Sequence, residues 1–183
     1  MATRLHARLA NFRHLGVFPE HSVHWKWGQE AIQGVDKPQV LNLFGYTGVG
    51  SLALAAKGAA VTHVDASKKS VEAARANAAL SDMTDKPIRW IIDDAMKFTA
   101  REVRRGKRYD GIILDPPKYG RGPDGEVWRL EEDLPGLIGN CRALLDADKV
   151  VDDDDDDEDE DDDDDNETGV AMGASTNDCR SEE

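Results

Sequence analysis

Four short apolar runs alternate with helix-like stretches between residues 38 and 120, and each run ends on glycine, aspartate or proline. The runs are Val40–Phe44, Ala59–Asp65, Pro87–Ile92 and Tyr109–Asp115. Between them, residues 51–57 have helical composition and stop at Gly58. Ser67 is placed as the N-cap of a helix to about Leu80, with Val71, Ala74, Ala78 and Ala79 facing inward. Residues 95–105 form a basic helix that ends at Gly106, and residues 130–145 form another that Pro135-Gly136 interrupts. Strands and helices in strict alternation imply an α/β fold: a parallel sheet of about four strands with helices on both faces. Right-handed crossovers then fix the local topology. In such sheets, ligands bind beyond the carboxyl ends of the strands.

Composition matters mainly because it is uneven. The chain has 183 residues and a formal net charge of −14, yet residues 152–165 are fourteen consecutive acids. Residues 1–151 hold 19 acidic and 22 basic side chains, so the folding part is slightly basic. The acidic run favours an extended, solvated chain. The expected organisation is an N-terminal helical or extended segment over 1–37, a domain over 38–149 and a disordered acidic tail over 150–183. Such a tail reads as a solvated extension or as an arm for a basic protein partner. Arg101, Arg104, Arg105, Lys107 and Arg108 cluster where they could meet phosphates or the tail itself. Two cysteines, Cys141 and Cys179, exclude a disulfide framework and a cysteine-rich metal site, so no metal is expected. No apolar run approaches the roughly 18 residues of a membrane span, and no membrane partner is expected. The cytoplasm is the expected compartment. The first residues, with Arg4, Arg8 and Arg13 and no acid before Glu20, leave an organellar leader open beside an ordinary helix with Leu5, Leu9 and Phe12 on one face.

The chemically suggestive groups all fall at strand ends. Gly45, Gly48 and Gly50 follow the first run and let the backbone approach a ligand. Gly48-Val-Gly50-Ser-Leu-Ala53 has the letters of a dinucleotide fingerprint, but its first glycine lies four residues beyond Phe44, which is the wrong register. Asp65 closes the second run, where an acid can accept from both ribose hydroxyls of an adenosine. Asp94-Ala95 follows the third and can accept from an adenine amino group, with Asp93 as the competing acid. The fourth run ends in Asp115-Pro116-Pro117-Lys118-Tyr119. Two prolines fix direction, remove two N–H donors and leave carbonyls for a ligand, while Asp115 can bind or deprotonate an amino or imino group.

These segments in order resemble a known family. Asn42-Leu-Phe-Gly-Tyr-Thr-Gly48, Val61-Thr-His-Val-Asp-Ala-Ser-Lys68, Asn77-Ala-Ala-Leu-Ser81, Pro87-Ile-Arg-Trp-Ile-Ile-Asp-Asp-Ala95 and Ile112-Ile-Leu-Asp-Pro-Pro-Lys-Tyr-Gly-Arg-Gly122 are similar to the class I, S-adenosylmethionine-dependent ribosomal-RNA large-subunit methyltransferases, cytosine-C5 type. The likeness runs from about Leu15 to Leu145. It implies a Rossmann-like domain, S-adenosylmethionine as cofactor and RNA as partner. It also implies cofactor contacts from Phe44, Gly45, Tyr46, Gly48, Asp65, Ala66, Asp94 and Ala95. Asp115, Pro116, Pro117, Lys118 and Tyr119 would form the catalytic, substrate-facing loop, and Phe18-Pro19-Glu20 to Trp25 would pack near the cofactor. The chain departs from the family by ending its strand pattern at four, as if C-terminally truncated. The roughly 38 residues ahead of the first run are expected to be too few for the N-terminal RNA-binding domain that members often carry, and neither cysteine falls on a strand-end loop where C5 members carry a nucleophile. An inactive cofactor-binding fragment, an acidic-tailed interaction protein and a small-molecule methyltransferase remain the alternatives.

Overall fold

The computed structural model describes Arg4, residues 16–145 and the backbone of Ala171–Met172. A single 3₁₀ turn, Pro19–His21, leads into α1 (Ser22–Ala31). Then come β1 (Gln39–Leu43), α2 (Val49–Ala56), β2 (Ala60–Asp65), α3 (Lys68–Leu80), β3 (Ile88–Ile92), α4 (Ala95–Arg104) and β4 (Gly111–Leu114). The order closes with β5 (Tyr119–Arg121), β6 (Val127–Arg129), α5 (Leu130–Leu144) and β7 (Ala171–Met172).

The main sheet is parallel throughout, in the order β3-β2-β1-β4-β7. This is the α/β architecture that the alternation implies. Val40, Leu41, Asn42 and Leu43 are all buried, as expected of a central strand covered on both faces. Alternate side chains feed two cores. Leu41, Leu43, Ile112 and Leu114 pack with Phe98 of α4 and with Leu137, Cys141 and Leu144 of α5. Val40 and Val61 pack with Leu52, Leu54 and Ala55 of α2 and with Ala78 of α3. The chain leaves β1 for β2 and β3 on one side, then returns to β4 on the other. That switch opens a crevice at the carboxyl ends of β1 and β4.

Four details differ from the sequence reading. Pro135 does not interrupt the last helix; α5 is continuous from Leu130 to Leu144. The proline costs one intrahelical hydrogen bond, but Leu137, Cys141 and Leu144 are each fully buried and hold the helix on the sheet. On α3, Ala79 is exposed and Asn77 turns inward instead, donating from Nδ2 to the Thr47 carbonyl at 3.0 Å. The edge of β4 is partly covered, because Ala171–Met172 pairs in parallel with Ile113–Leu114. An unpaired strand edge is a template for such pairing, and these two residues carry no charge to oppose it. Finally, Tyr119–Arg121 and Val127–Arg129 form an antiparallel hairpin around a Gly-Pro-Asp-Gly turn. The acidic run at 152–165, with its proposed protein partner, and the apolar face of Leu5, Leu9 and Phe12 lie outside the described residues. No helix among the described residues is long and apolar enough to cross a membrane.

A polar chain lies inside this core. Asn42 Nδ2 donates to Ser51 Oγ at 2.8 Å, and Ser51 Oγ lies 3.0 Å from His63 Nδ1. His63 is fully buried against Trp90, with ring centroids 4.9 Å apart, and its Nε2 has no hydrogen-bond partner. Burial lowers this imidazole from its ordinary value of 6.5 to about 4. The unfolded chain takes up the proton near pH 6.5 while the folded chain resists it. Stability therefore falls as the pH drops from about 6.5 to about 4 and levels off below. Over that window the loss is about 3 kcal/mol. Urea midpoints at neutral and mildly acidic pH, compared between the natural chain and His63→Asn, isolate this contribution. An equal pH-dependent drop in both proteins contradicts it.

Candidate functional site

One cavity of about 450 Å³ opens at the carboxyl ends of the parallel strands. That is a usual size for a small-molecule or cofactor site. Its wall takes Phe44, Gly45 and Tyr46 from the loop after β1, Asp65 and Ala66 from the end of β2, and Asp94 and Ala95 after β3. Asp115 and Pro117 come from the end of β4. Four segments spread along the chain between Phe44 and Pro117 thus meet in one crevice because a parallel sheet aligns its strand ends.

The loop after β1 is bent sharply. Phe44 and Tyr46 both adopt positive φ, 54° and 48°, on either side of Gly45. Non-glycine residues rarely do so, and each costs on the order of 1 kcal/mol. The bend is held from both ends: Gly45 donates its N–H to the Val64 carbonyl at 3.1 Å, and Tyr46 donates its N–H to Asp65 Oδ2 at 2.8 Å. A side chain at Gly45 would meet the His63 ring at 2.4 Å, so glycine is required here by the buried histidine beneath. Gly48 has a different reason. It starts α2 at φ 82°, and a Cβ there would lie 2.7 Å from Ala74 Cβ. It serves the close packing of α2 on α3 and does not reach the cavity wall.

Asp65 is the best-defined acid of the site. Oδ1 accepts from the Ser67 N–H and Oδ2 from the Tyr46 N–H, both at 2.8 Å. A carboxylate offers about four lone-pair directions, so two remain for a ligand. Burial pushes its carboxyl above the usual range, and the two backbone donors partly offset that rise. The two acids after β3 divide their roles. Asp94 caps α4, accepting from the Lys97 N–H at 2.9 Å, and is 8% exposed. Asp93 accepts from the Asp94 N–H and forms an ion pair with Arg101.

The Asp115 segment is split. Asp115 and Pro117 face the cavity, Pro116 is buried, and Lys118 and Tyr119 lie exposed outside the wall. The Pro117 carbonyl, expected to be offered to a ligand, already accepts from Trp128 Nε1 at 2.7 Å. Trp128 is 3% exposed, packs on Phe44 with centroids 5.1 Å apart and lines the cavity. Nothing periodic marks it in the sequence; the Gly-Pro-Asp-Gly turn that brings β6 back beside β5 was the available signal.

Residues ahead of β1 close the other side. Phe18, His21, His24 and Trp25 line the cavity. Thr47 Oγ1 donates to the Gly16 carbonyl at 2.6 Å, and Gln29 Nε2 donates to the Ala53 carbonyl at 2.7 Å. These bonds hold the 3₁₀ turn and α1 against the β1–α2 loop. His21 Nδ1 stands 3.3 Å from Asp115 Oδ2. Burial raises the Asp115 carboxyl, and the two nearby histidines oppose that rise. Cys141 is remote from this chemistry: it is fully buried in α5, and burial pushes its thiol up to about 12. Of the basic cluster, Arg101 pairs with Asp93 and Arg105 with Glu102, while Arg104, Lys107 and Arg108 are exposed.

A parallel sheet with its cleft at the strand ends, a bent glycine loop after β1 and an acid closing β2 define a Rossmann-like, nucleoside-binding class of protein. The chain belongs to the S-adenosylmethionine-dependent methyltransferase family, whose model matches residues 2–148. It is 31% identical over 119 residues to ribosomal RNA large subunit methyltransferase I of Aeromonas hydrophila, a stretch covering 64% of this chain and 27% of that one. The enzyme of the same name from Tolumonas auensis is 35% identical over 109 residues, 59% of this chain and 25% of that one. The chain therefore spans about a quarter of the length of these curated relatives. Among solved structures it is similar to the SAM-dependent methyltransferase from Agrobacterium tumefaciens, at 54% identity and a TM-score of 0.76, over 79% of this chain and 46% of that one. A further similar structure, assigned as a methyltransferase and solved with SAH bound, is 29% identical with a TM-score of 0.60, over 71% of this chain and 33% of that one.

Proposed function

We propose that this chain binds S-adenosylmethionine in the strand-end cavity and takes part in methyl transfer to RNA. The observation that carries the cofactor half is Asp65. Two backbone amides fix its carboxylate at the end of β2 and leave lone pairs for a ribose diol. Gly45, which lacks the Cβ that would strike His63, brings bare backbone to the same wall. The residues present thus fit a nucleoside with a charged amino-acid arm. Phe44, Tyr46 and Ala66 flank it, and the N–H groups opening α2 face its carboxylate, with Gly48 holding that helix in place. Asp94 rather than Asp93 is the acceptor for the adenine amino group, because Arg101 already engages Asp93. Ala95 packs beside it.

When bound, the cofactor supplies a sulfonium methyl group to a nucleophile. The chain's own part is positioning: Asp115 accepts a hydrogen bond from the methyl acceptor, and the rigid Pro116-Pro117 turn holds that carboxylate in line. Lys118 and Tyr119, exposed just outside, are placed to meet a larger substrate. RNA is the proposed substrate because the curated relatives are named for it and because the folding part carries more bases than acids.

Calorimetric titration of the full chain with S-adenosylmethionine and with S-adenosylhomocysteine tests the first half. Saturable one-site binding of both is expected, and a folded sample that binds neither overturns the reading. Transfer of label from methyl-labelled cofactor to protein-free ribosomal RNA tests the second half. Label that goes to small nucleosides or protein, but never to RNA, replaces the proposed substrate.

A further inference from the structure

The hairpin beside the cavity has two unlike faces, because side chains alternate along each strand. Gly120 and Trp128 pair across it and turn inward: both line the cavity, and Trp128 is buried. Tyr119, Arg121, Val127 and Arg129 are exposed on the other face, Tyr119 by 53% and Val127 by 46%. The ribbon is fixed in place. Trp128 Nε1 donates to the Pro117 carbonyl at 2.7 Å, the Leu130 N–H donates to the Lys118 carbonyl at 3.0 Å, and Lys97 of α4 is ion-paired with Glu126. Arg129 pairs with Glu132. Among the described residues Arg121 makes no ion pair, yet it is the one lysine or arginine of those that line the cavity. It stands at the rim of a wall that is otherwise acidic, with Asp65, Asp93, Asp94 and Asp115.

We infer that the outer face of this hairpin is a platform for single-stranded RNA, with Arg121 holding a phosphate next to the target nucleotide and Tyr119 stacking on a neighbouring base. This inference rests on reading the cavity as a site of methyl transfer to RNA, and it names the form of RNA taken. Charge decides where the strand can run. Every nucleotide carries a negative phosphate, and four carboxylates repel it from the cavity interior, so only the uncharged base enters. The backbone stays at the rim, where Arg121 offers a planar fork that matches phosphate geometry. Depth decides the form. A base stacked within a duplex cannot reach Asp115, whereas an unpaired base can turn in and leave its neighbour to stack on an exposed ring. The other basic cluster is worse placed. Arg104, Lys107 and Arg108 precede β4 and lie at the amino ends of the strands, while the cavity opens at their carboxyl ends.

Fluorescence anisotropy of a labelled single-stranded RNA of about 12 nucleotides, titrated with the full chain without cofactor from about 50 to about 200 mM salt, tests this. Arg121→Ala is expected to weaken binding about 10-fold and to flatten the slope of log K against log salt by about 0.7, the share of one phosphate on a single strand. Arg121→Lys keeps the charge and is expected to keep the slope. Tyr119→Ala is expected to weaken binding about 10-fold with the slope unchanged, because stacking releases no counterion. Against a duplex of the same sequence, Tyr119→Ala is expected to change affinity by less than about twofold. Both side chains are exposed, and circular dichroism checks that each variant folds. Natural affinity and natural slope in Arg121→Ala overturn the inference. So does a Tyr119→Ala loss that is equal on duplex and single strand, or a loss that appears only when Arg104, Lys107 and Arg108 are replaced. If the natural chain itself binds neither form of RNA, the RNA reading of the cavity fails and takes this inference with it. Binding by the natural chain that neither hairpin variant alters removes the hairpin alone.

Discussion

Replacing Asp65 by alanine is expected to weaken S-adenosylmethionine binding by at least about 100-fold. The size follows from the bonds at stake. Hydrogen bonds to an ionised carboxylate contribute about 1.5–3 kcal/mol each, and a ribose diol would make two. Alanine also frees the Tyr46 and Ser67 N–H groups that the carboxylate holds at 2.8 Å, so the bent loop loses one of its anchors. Asp65→Asn separates the two effects, because the amide oxygen keeps one backbone donor but offers less to the diol. It should bind with intermediate affinity, roughly 10-fold weaker. Calorimetry on variants whose circular dichroism matches the natural chain decides the matter. Affinity within threefold of natural for Asp65→Ala would remove Asp65 from the cofactor site.

A methyl group at Gly45 is expected to cost stability first and binding second. Its Cβ would stand 2.4 Å from both Cε1 and Nδ1 of His63, a ring that is fully buried and cannot swing away. Overpacking of this kind costs about 1–3 kcal/mol, and Gly45→Ala should lower the urea midpoint accordingly. The cause is specific, so it is reversible. His63→Ala in the Gly45→Ala background should recover much of the loss, giving a double-mutant coupling that independent sites would not show. Additive losses in the double variant would mean that His63 is not what excludes the side chain.

These two expectations also show how sequence and structure divided the information. The apolar runs at 40–44 and 59–65 were legible because a strand buried on both faces must be apolar along its length, and those at 87–92 and 109–115 because they alternate with helix-like stretches in the same pattern. Their order, with glycine, aspartate, aspartate and Asp-Pro-Pro at the ends, placed Asp65, Asp94 and Asp115 at one rim before any coordinates. What stayed hidden was whatever depends on a partner distant in the chain. Gly45 and Gly48 look alike in sequence, but one is glycine because of His63 and the other because of Ala74. Pro135 reads as a break, yet three buried residues on one face outweigh one lost hydrogen bond. Trp128 carries no local signature, and only the hairpin lays it over Phe44 and onto the Pro117 carbonyl.

The sequence by itself determined the parallel α/β sheet and the row of strand-end acids, because burial periodicity and strand termini are properties of local segments. Tertiary structure decided the rest of the cavity: the wall formed by the 3₁₀ turn, α1 and the hairpin, and the meeting of His21 with Asp115, 94 positions further along the chain. No local rule encodes that contact. It exists because the crossover from β3 through α4 lays β4 beside β1, while the first helix packs on α2, the helix that follows β1.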